Sequence, residues 1–211
     1  MHDMKFLTKL SLSFLFLAGV FLLPAVASAA TYYVSRSGNN TNGTSWTNAW
    51  SELDQIGWSV VRPGDIIYLD GGASSMTYNT RMVSGAGGTA QSPILFQRSE
   101  ASGHSGRVSL ARGMEINHPY ITVDGRDKRY FEIPPNSSDG YVIRVLNGGN
   151  FFTLRNVRIY GDQNHTGGEL LYGGSYPLVI GLPNILIQNA EFQGLNNGGE
   201  DHIKYNGRGT L

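Results

Sequence analysis

Glu200, Asp201, His202 and Lys204 fall within five consecutive positions of this 211-residue sequence, and Arg144 joins them if the chain folds in the strands argued below. Two carboxylates, an imidazole and two cations on one surface are what a β-elimination beside a substrate carboxylate requires. A base removes the proton next to that carboxylate, and positive charge stabilises the anion that forms. Lys204 is the candidate base, because a neighbouring cation lowers a lysine's pKa and lets it accept a proton. Arg144 is the candidate anion stabiliser, with His202 beside them. Glu200 and Asp201 are candidate ligands for Ca²⁺, which neutralises a bound carboxylate. Structural readings stand beside these. Two adjacent carboxylates fall short of the roughly six to eight oxygens Ca²⁺ takes, and exposed Lys and Arg commonly only solubilise a face.

What must position these residues is a repeat. The segment beginning Phe152-Thr153-Leu154-Arg155-Asn156 and running to Gly161 matches the one beginning Ile185-Leu186-Ile187-Gln188-Asn189 and running to Gly194: strand, Asn, strand, Gly. The two Asn are 33 positions apart. A looser copy, Tyr120-Ile121-Thr122-Val123-Asp124-Gly125, places Gly125 at the Asn position, 31 residues before Asn156. A period in the range of about 20–50 residues marks a stacked architecture. Asn and Gly tolerate the left-handed backbone of a sharp corner.

A further strand precedes each copy: Met114-Glu115-Ile116-Asn117, Tyr141-Val142-Ile143-Arg144-Val145 and Leu178-Val179-Ile180-Gly181, with His202-Ile203-Lys204-Tyr205 opening a fourth turn. Three short strands per turn describe a parallel β-helix. With Ile116, Ile143, Ile180 and Ile203 equivalent, the coils are 27, 37 and 23 residues long. Strand alternation then gives two outward columns: Glu115, Val142, Val179, His202, and beside it Asn117, Arg144, Gly181, Lys204. Arg144 and Lys204 stand two rungs apart, about 10 Å, at a rung spacing of ~4.8 Å.

Composition agrees. Charged residues make up 15% of the chain, there are 28 Gly, and the formal net charge is zero, which suits a turn-rich all-β protein and gives no reason to expect nucleic acid as partner. Lys5 and Lys9, an apolar run over residues 10–23 and Ala27-Ser28-Ala29 make a signal peptide, residues 1–29. The run is shorter than the ~20 residues of a membrane span, so the mature chain is expected near Ala30, secreted or in the cell envelope, without a span. The chain has no Cys and so needs no disulfide.

Residues 30–211 read as a single domain, with a cap and irregular first coils over 30–110 and regular coils over 111–211. Ala49, Trp50, Leu53 and Ile56 lie at helical spacing in residues 46–56, predicting a short amphipathic helix that caps the solenoid. Trp46, Trp50 and Trp58 cluster around it and are assigned to core packing in preference to sugar stacking. His104, His118 and His165 read as surface residues of loops.

Tyr32-Tyr33-Val34-Ser35-Arg36-Ser37-Gly38, Trp46-Thr47-Asn48-Ala49-Trp50 and Arg62-Pro63-Gly64-Asp65-Ile66-Ile67-Tyr68-Leu69 together resemble the opening of secreted bacterial right-handed parallel β-helix proteins. That superfamily, called pectate lyase-like, includes polysaccharide lyases related to chondroitinase B. The resemblance implies a right-handed coil, an acidic polysaccharide as partner and chemistry on the first-strand face. Gly198-Gly199-Glu200 is similar to the start of the chondroitinase B-like calcium motif, with His202 where that motif has a second Glu and Lys204 earlier than its Lys. The fourth coil lacks a cap, so a fragment truncated at the C-terminus is expected, as a monomer. Two rivals stand beside the lyase. One is a non-catalytic glycan-binding or spacer solenoid. The other is a hydrolase, which needs paired acids ~5–9.5 Å apart across a groove; Glu200 and Asp201, as extended-chain neighbours, point apart.

Overall fold

A computed structural model describes residues 28–134, 141–146, 148–160, 169–173, 184–193 and 203–205. After β1 (Thr31–Val34), strands come in triplets: β2 (Ile66–Leu69), β3 (Ser75–Tyr78) and β4 (Met82–Val83); then β5 (Ile94–Arg98), β6 (Arg107–Leu110) and β7 (Met114–Ile116). The third triplet is β8 (Ile121–Asp124), β9 (Phe131–Ile133) and β10 (Tyr141–Val145). The fourth is β11 (Thr153–Arg155), β12 (Arg158–Tyr160) and β13 (Glu169–Gly173), and the fifth β14 (Leu186–Gln188), β15 (Glu191–Gln193) and β16 (Ile203–Tyr205).

First members stack in the order β1-β2-β5-β8-β11-β14, second members as β3-β6-β9-β12-β15 and third members as β4-β7-β10-β13-β16, all in parallel register. These are the first, second and third walls of a parallel β-solenoid, with almost no helix among the described residues. Parallel pairing extends through residues 66–110.

Each wall turns apolar columns inward. On the first wall Ile67, Phe96, Val123 and Leu154 are stacked and fully buried. Each such side chain contributes about 1.5–3 kcal/mol of hydrophobic stabilisation. The corner between first and second walls is built by the Asn positions. Asn156 and Asn189 have φ of 57° and 48°, the left-handed region. Asn189 Nδ2 donates to Asn156 Oδ1 at 2.8 Å, and Asn156 Nδ2 donates to Asp124 Oδ1 at 2.7 Å. One rung earlier the corner must be Gly: a Cβ on Gly125 would lie 2.1 Å from the Asn156 carbonyl oxygen and 2.5 Å from Phe131 Cβ.

Two expectations change. Residues 46–56 form no amphipathic α-helix; one 3-10 turn, Leu53–Gln55, is all the helix there. Their backbone partners are remote: Trp50 N donates to Tyr33 O, Ser35 N to Trp50 O and Asn40 N to Ala49 O. These bonds take the groups an i→i−4 ladder would need. The apolar positions are nonetheless buried, with Ala49, Trp50, Leu53 and Ile56 at 0%, 3%, 0% and 5% exposure.

The third wall's fourth rung is also displaced. Ile143 is in register with Met114 on one side and Leu171 on the other, and Leu171 with Ile203. Residues 178–181, expected as that rung, lie outside the described residues, and β13 occupies the place instead. The coils through Met114, Ile143, Leu171 and Ile203 are 29, 28 and 32 residues long, more even than 27, 37 and 23.

Candidate functional site

On the third wall, register places Glu115, Arg144, Tyr172 and Lys204 in one column. Arg144 therefore aligns with Glu115, not with Asn117, and Tyr172 holds the rung assigned to Gly181. The shift is two residues, which preserves the facing of every side chain in a period-2 strand and so leaves no trace in the pattern. Arg144 and Lys204 still occupy one column, two rungs apart.

Arg144 grips Glu115 Oε2 through Nη2 and, at 3.1 Å, through Nε. Glu115 Oε1 accepts from Asn117 Nδ2 at 3.1 Å. The pair is half-buried, the side chains 33% and 14% exposed, so Arg144 is oriented by a carboxylate that also offsets part of its charge. Glu200, Asp201 and His202 lie outside the described residues. Among the described residues no three His, Cys, Asp or Glu side chains converge as a metal site. Glu200 and Asp201 alone do not supply the roughly six to eight oxygens Ca²⁺ takes, so no step is routed through the ion.

A second constellation lies on the first wall. Its outward column runs Tyr33, Tyr68, Gln97, Asp124, Arg155, Gln188. At the N-terminal end, Tyr33, Tyr68 and Gln97 form the floor of a cleft of about 280 Å³, with Trp46, Glu100 and Arg126 on its rim. Tyr33 and Tyr68 rings stack at 6.0 Å and 29°, and Trp46 meets Tyr33 edge-on at 4.5 Å. Arg126 clamps Glu100 through Nε at 2.9 Å and Nη2 at 2.7 Å.

Trp46 is held from behind. The His104 ring stacks flat on it, with centroids 4.0 Å apart and 11° between planes. His104 Nδ1 lies 3.1 Å from Asp70 Oδ1, outside hydrogen-bonding angles. Asp70 is buried and accepts from Ser35 Oγ and Gly72 N, each at 2.6 Å. Below it the buried Tyr78 hydroxyl donates to Val34 O at 2.7 Å and accepts from Asp70 N at 3.0 Å. Burial, then the Asp70 charge, raises the Tyr78 pKa well above the ordinary phenol value, so it stays a neutral donor.

His104 is thus a wedge under Trp46, not a bare loop residue, and His118 Nδ1 lies 2.8 Å from Ser84 O; His165 lies outside the described residues. Trp50 belongs to the core and Trp58 packs against it, but Trp46 does not. The signal for the cleft was present in Tyr33 and Tyr68, which alternate with buried Val34 and with buried Ile67 and Leu69 and must therefore face outward. What no local pattern could reveal is that Trp46 and residues 97–101 and 126 gather around them.

Further along the same column, Asp124 accepts from Arg126 N at 2.8 Å and Arg155 Nε at 3.0 Å as well as from Asn156. Burial pushes its pKa up, but the Asn156 amide, the Arg126 N–H and the Arg155 guanidinium outweigh that and hold it below the ordinary carboxylate value. Asp124 is a corner anchor.

With fold and sites in place, the class is a parallel β-solenoid. No known protein-family model matches the chain, and no curated protein does. Solved structures that resemble it include a rhamnogalacturonan lyase, 17% identical with a TM-score of 0.46, over 82% of this chain and 45% of that one. Another is a GH136 lacto-N-biosidase from Eubacterium ramulus, 16% identical with a TM-score of 0.43, over 77% of this chain and 27% of that one. The chain spans less than half the length of either.

Proposed function

We propose that this is an exported carbohydrate-active β-solenoid whose third wall cleaves a uronate-containing polysaccharide by β-elimination. The observation that supports this reading is the column Glu115, Arg144, Tyr172, Lys204, which sets two cationic residues two rungs apart, about 10 Å. Lys204, as base, takes the proton from the carbon bearing the carboxylate. Arg144, aimed by Glu115, stabilises the enolate-like anion that results. Collapse of the anion expels the glycosidic oxygen, which takes up the proton held by Lys204 or one from solvent, and the products are an unsaturated uronide and a new chain end. His202 stands two positions before Lys204, and Glu200 and Asp201 precede it as candidate Ca²⁺ ligands. Ca²⁺ there would neutralise the substrate carboxylate. Export follows from the segment over residues 1–29, and among the described residues no helix is long and apolar enough to cross a membrane.

The experiment is release of unsaturated uronides, followed by ultraviolet absorbance, from pectin, alginate and chondroitin with added Ca²⁺. No product from any of them defeats the lyase reading. One observation favours the non-catalytic alternative: the Glu115 carboxylate already engages Arg144. Glycan binding that persists in Lys204→Ala and in EDTA, without turnover, would establish it.

A further inference from the structure

We infer that the first-wall cleft of Tyr33, Trp46, Tyr68, Gln97, Glu100 and Arg126 is a binding site for a neutral pyranose unit of a glycan, separate from the third wall. Three observations carry it. The first is that the aromatic rings are not there for the core. Tyr33, Trp46 and Tyr68 stand outside the hydrophobic cluster that fills the solenoid, yet they adjoin one another around one concavity. Half-buried aromatic faces present apolar area beside polar tips, the surface that the C–H face of a sugar ring complements.

The second is that the polar groups are planar and of both kinds. Gln97 offers an amide donor and acceptor, Glu100 accepts, and Arg126 donates. Such a set matches ring hydroxyls, each both donor and acceptor. The charged lining residues are Arg98, Arg126 and Glu100. Arg126 is paired with Glu100, and buried Arg98, also lining the cleft, donates to the carbonyls of Gly125 and Ser99 at 3.1 Å each. Both guanidiniums are already engaged, Arg126 by Glu100 and buried Arg98 by backbone carbonyls, so neither is presented to grip a uronate carboxylate, and the site is assigned to a neutral ring.

The third is preorganisation. Trp46 stacks on His104, whose backbone N donates to Ala101 O and whose carbonyl accepts from Gly71 N, each at 3.0 Å, and whose ring lies against an Asp70 carboxylate fixed by Ser35 and Gly72. A rim residue braced to this depth loses little freedom on binding, which is where affinity for a weakly adhesive ligand is gained.

The test uses the processed chain with neutral hexasaccharides of β-1,4-linked glucose, mannose and galactose, and with hexagalacturonate as the acidic comparison. Binding is followed by calorimetry and by shifts of the tryptophan indole N–H signals in NMR. The expected result is saturable binding of at least one neutral hexasaccharide, tighter than about 1 mM, that moves the Trp46 indole signal. Trp46→Ala and Tyr68→Ala should each weaken it about tenfold or more, whereas Lys204→Ala leaves it unchanged. Binding by a Lys204→Ala chain that releases no uronide separates this site's success from that of the third wall. The wild-type NMR map needs no variant, so a folding defect in Trp46→Ala or Tyr68→Ala leaves the test intact. The inference is overturned if no neutral hexasaccharide binds, if binding leaves the Trp46 signal unmoved, or if only hexagalacturonate moves it.

Discussion

The first and third walls obey one alternation rule and arrive at different surfaces. On the third wall Glu115 and Arg144 face each other across adjacent strands and close as an ion pair. On the first, Tyr33, Tyr68 and Gln97 occupy successive rungs, but Trp46 and the segment around Glu100 rise beside them and make a concavity. The difference lies in what borders the strands. A solenoid wall is flat by construction, and a recess appears only where a cap segment or a long corner loop stands above it. The chemistry proposed for the third wall therefore depends on residues along one column, while the recognition proposed for the first depends on pieces far apart in sequence.

That contrast can be broken or sharpened experimentally. The largest effect is expected from Lys204→Ala, which should slow uronide release by about 10²–10⁴-fold, the usual contribution of a positioned general base, without altering neutral-glycan affinity. A comparable rate loss in Trp46→Ala, with Lys204→Ala active, would move the chemistry to the first wall. Next, Tyr78→Phe removes the hydroxyl that ties the ends of β1 and β2 behind the aromatic cleft. Because Asp70 N also donates to Val34 O at 3.0 Å, neither backbone group is left unpaired, and the loss in urea denaturation should be that of an ordinary hydrogen bond, about 0.5–1.5 kcal/mol; an unchanged midpoint would mean that the hydroxyl does not help to hold the strand ends.

Third comes the acid limb of stability. Asp124 has a depressed pKa in the folded chain, so its stabilisation is fully present above the ordinary unfolded value of about 3.9 and is lost as pH falls through the lower folded one. Asp124→Asn should flatten this part of a plot of denaturation midpoint against pH; an identical acid limb in wild type and variant would contradict the assignment. The smallest effect on stability belongs to Glu115→Gln, about 0.2–1 kcal/mol for a partly exposed pair. Its value is in substrate response. With Arg144's charge less compensated, the KM for an oligouronate should fall if Arg144 meets the substrate, and stay the same if the pair is purely structural.

Much of the architecture was legible in the chain. The strand-Asn-strand-Gly repeat locates β11, β12, β14 and β15, and Gly125 sits at the aligned corner because a Cβ there would strike the Asn156 carbonyl. β3 and β9 were less visible. β3 begins in a Ser-rich stretch, and β9 follows a 3-10 turn at Lys128–Tyr130, with only Tyr78 in one and Phe131 and Ile133 in the other fully buried. The helix expected over residues 46–56 shows why spacing misleads: burial periodicity was right, but the backbone found partners on β1 and in the loop that follows β1.

The amino-acid order by itself determined that this is a stack of short strands with left-handed corners, because alternation and corner residues are local properties of the chain. It also fixed which side of each strand is apolar. Only the tertiary structure decided register, since a slip of two residues keeps every side chain on its own face while changing its partner, from Asn117 to Glu115 in the case of Arg144. The cleft was decided there too. Its residues span positions 33 to 126 and become neighbours only when successive coils lie one rung apart.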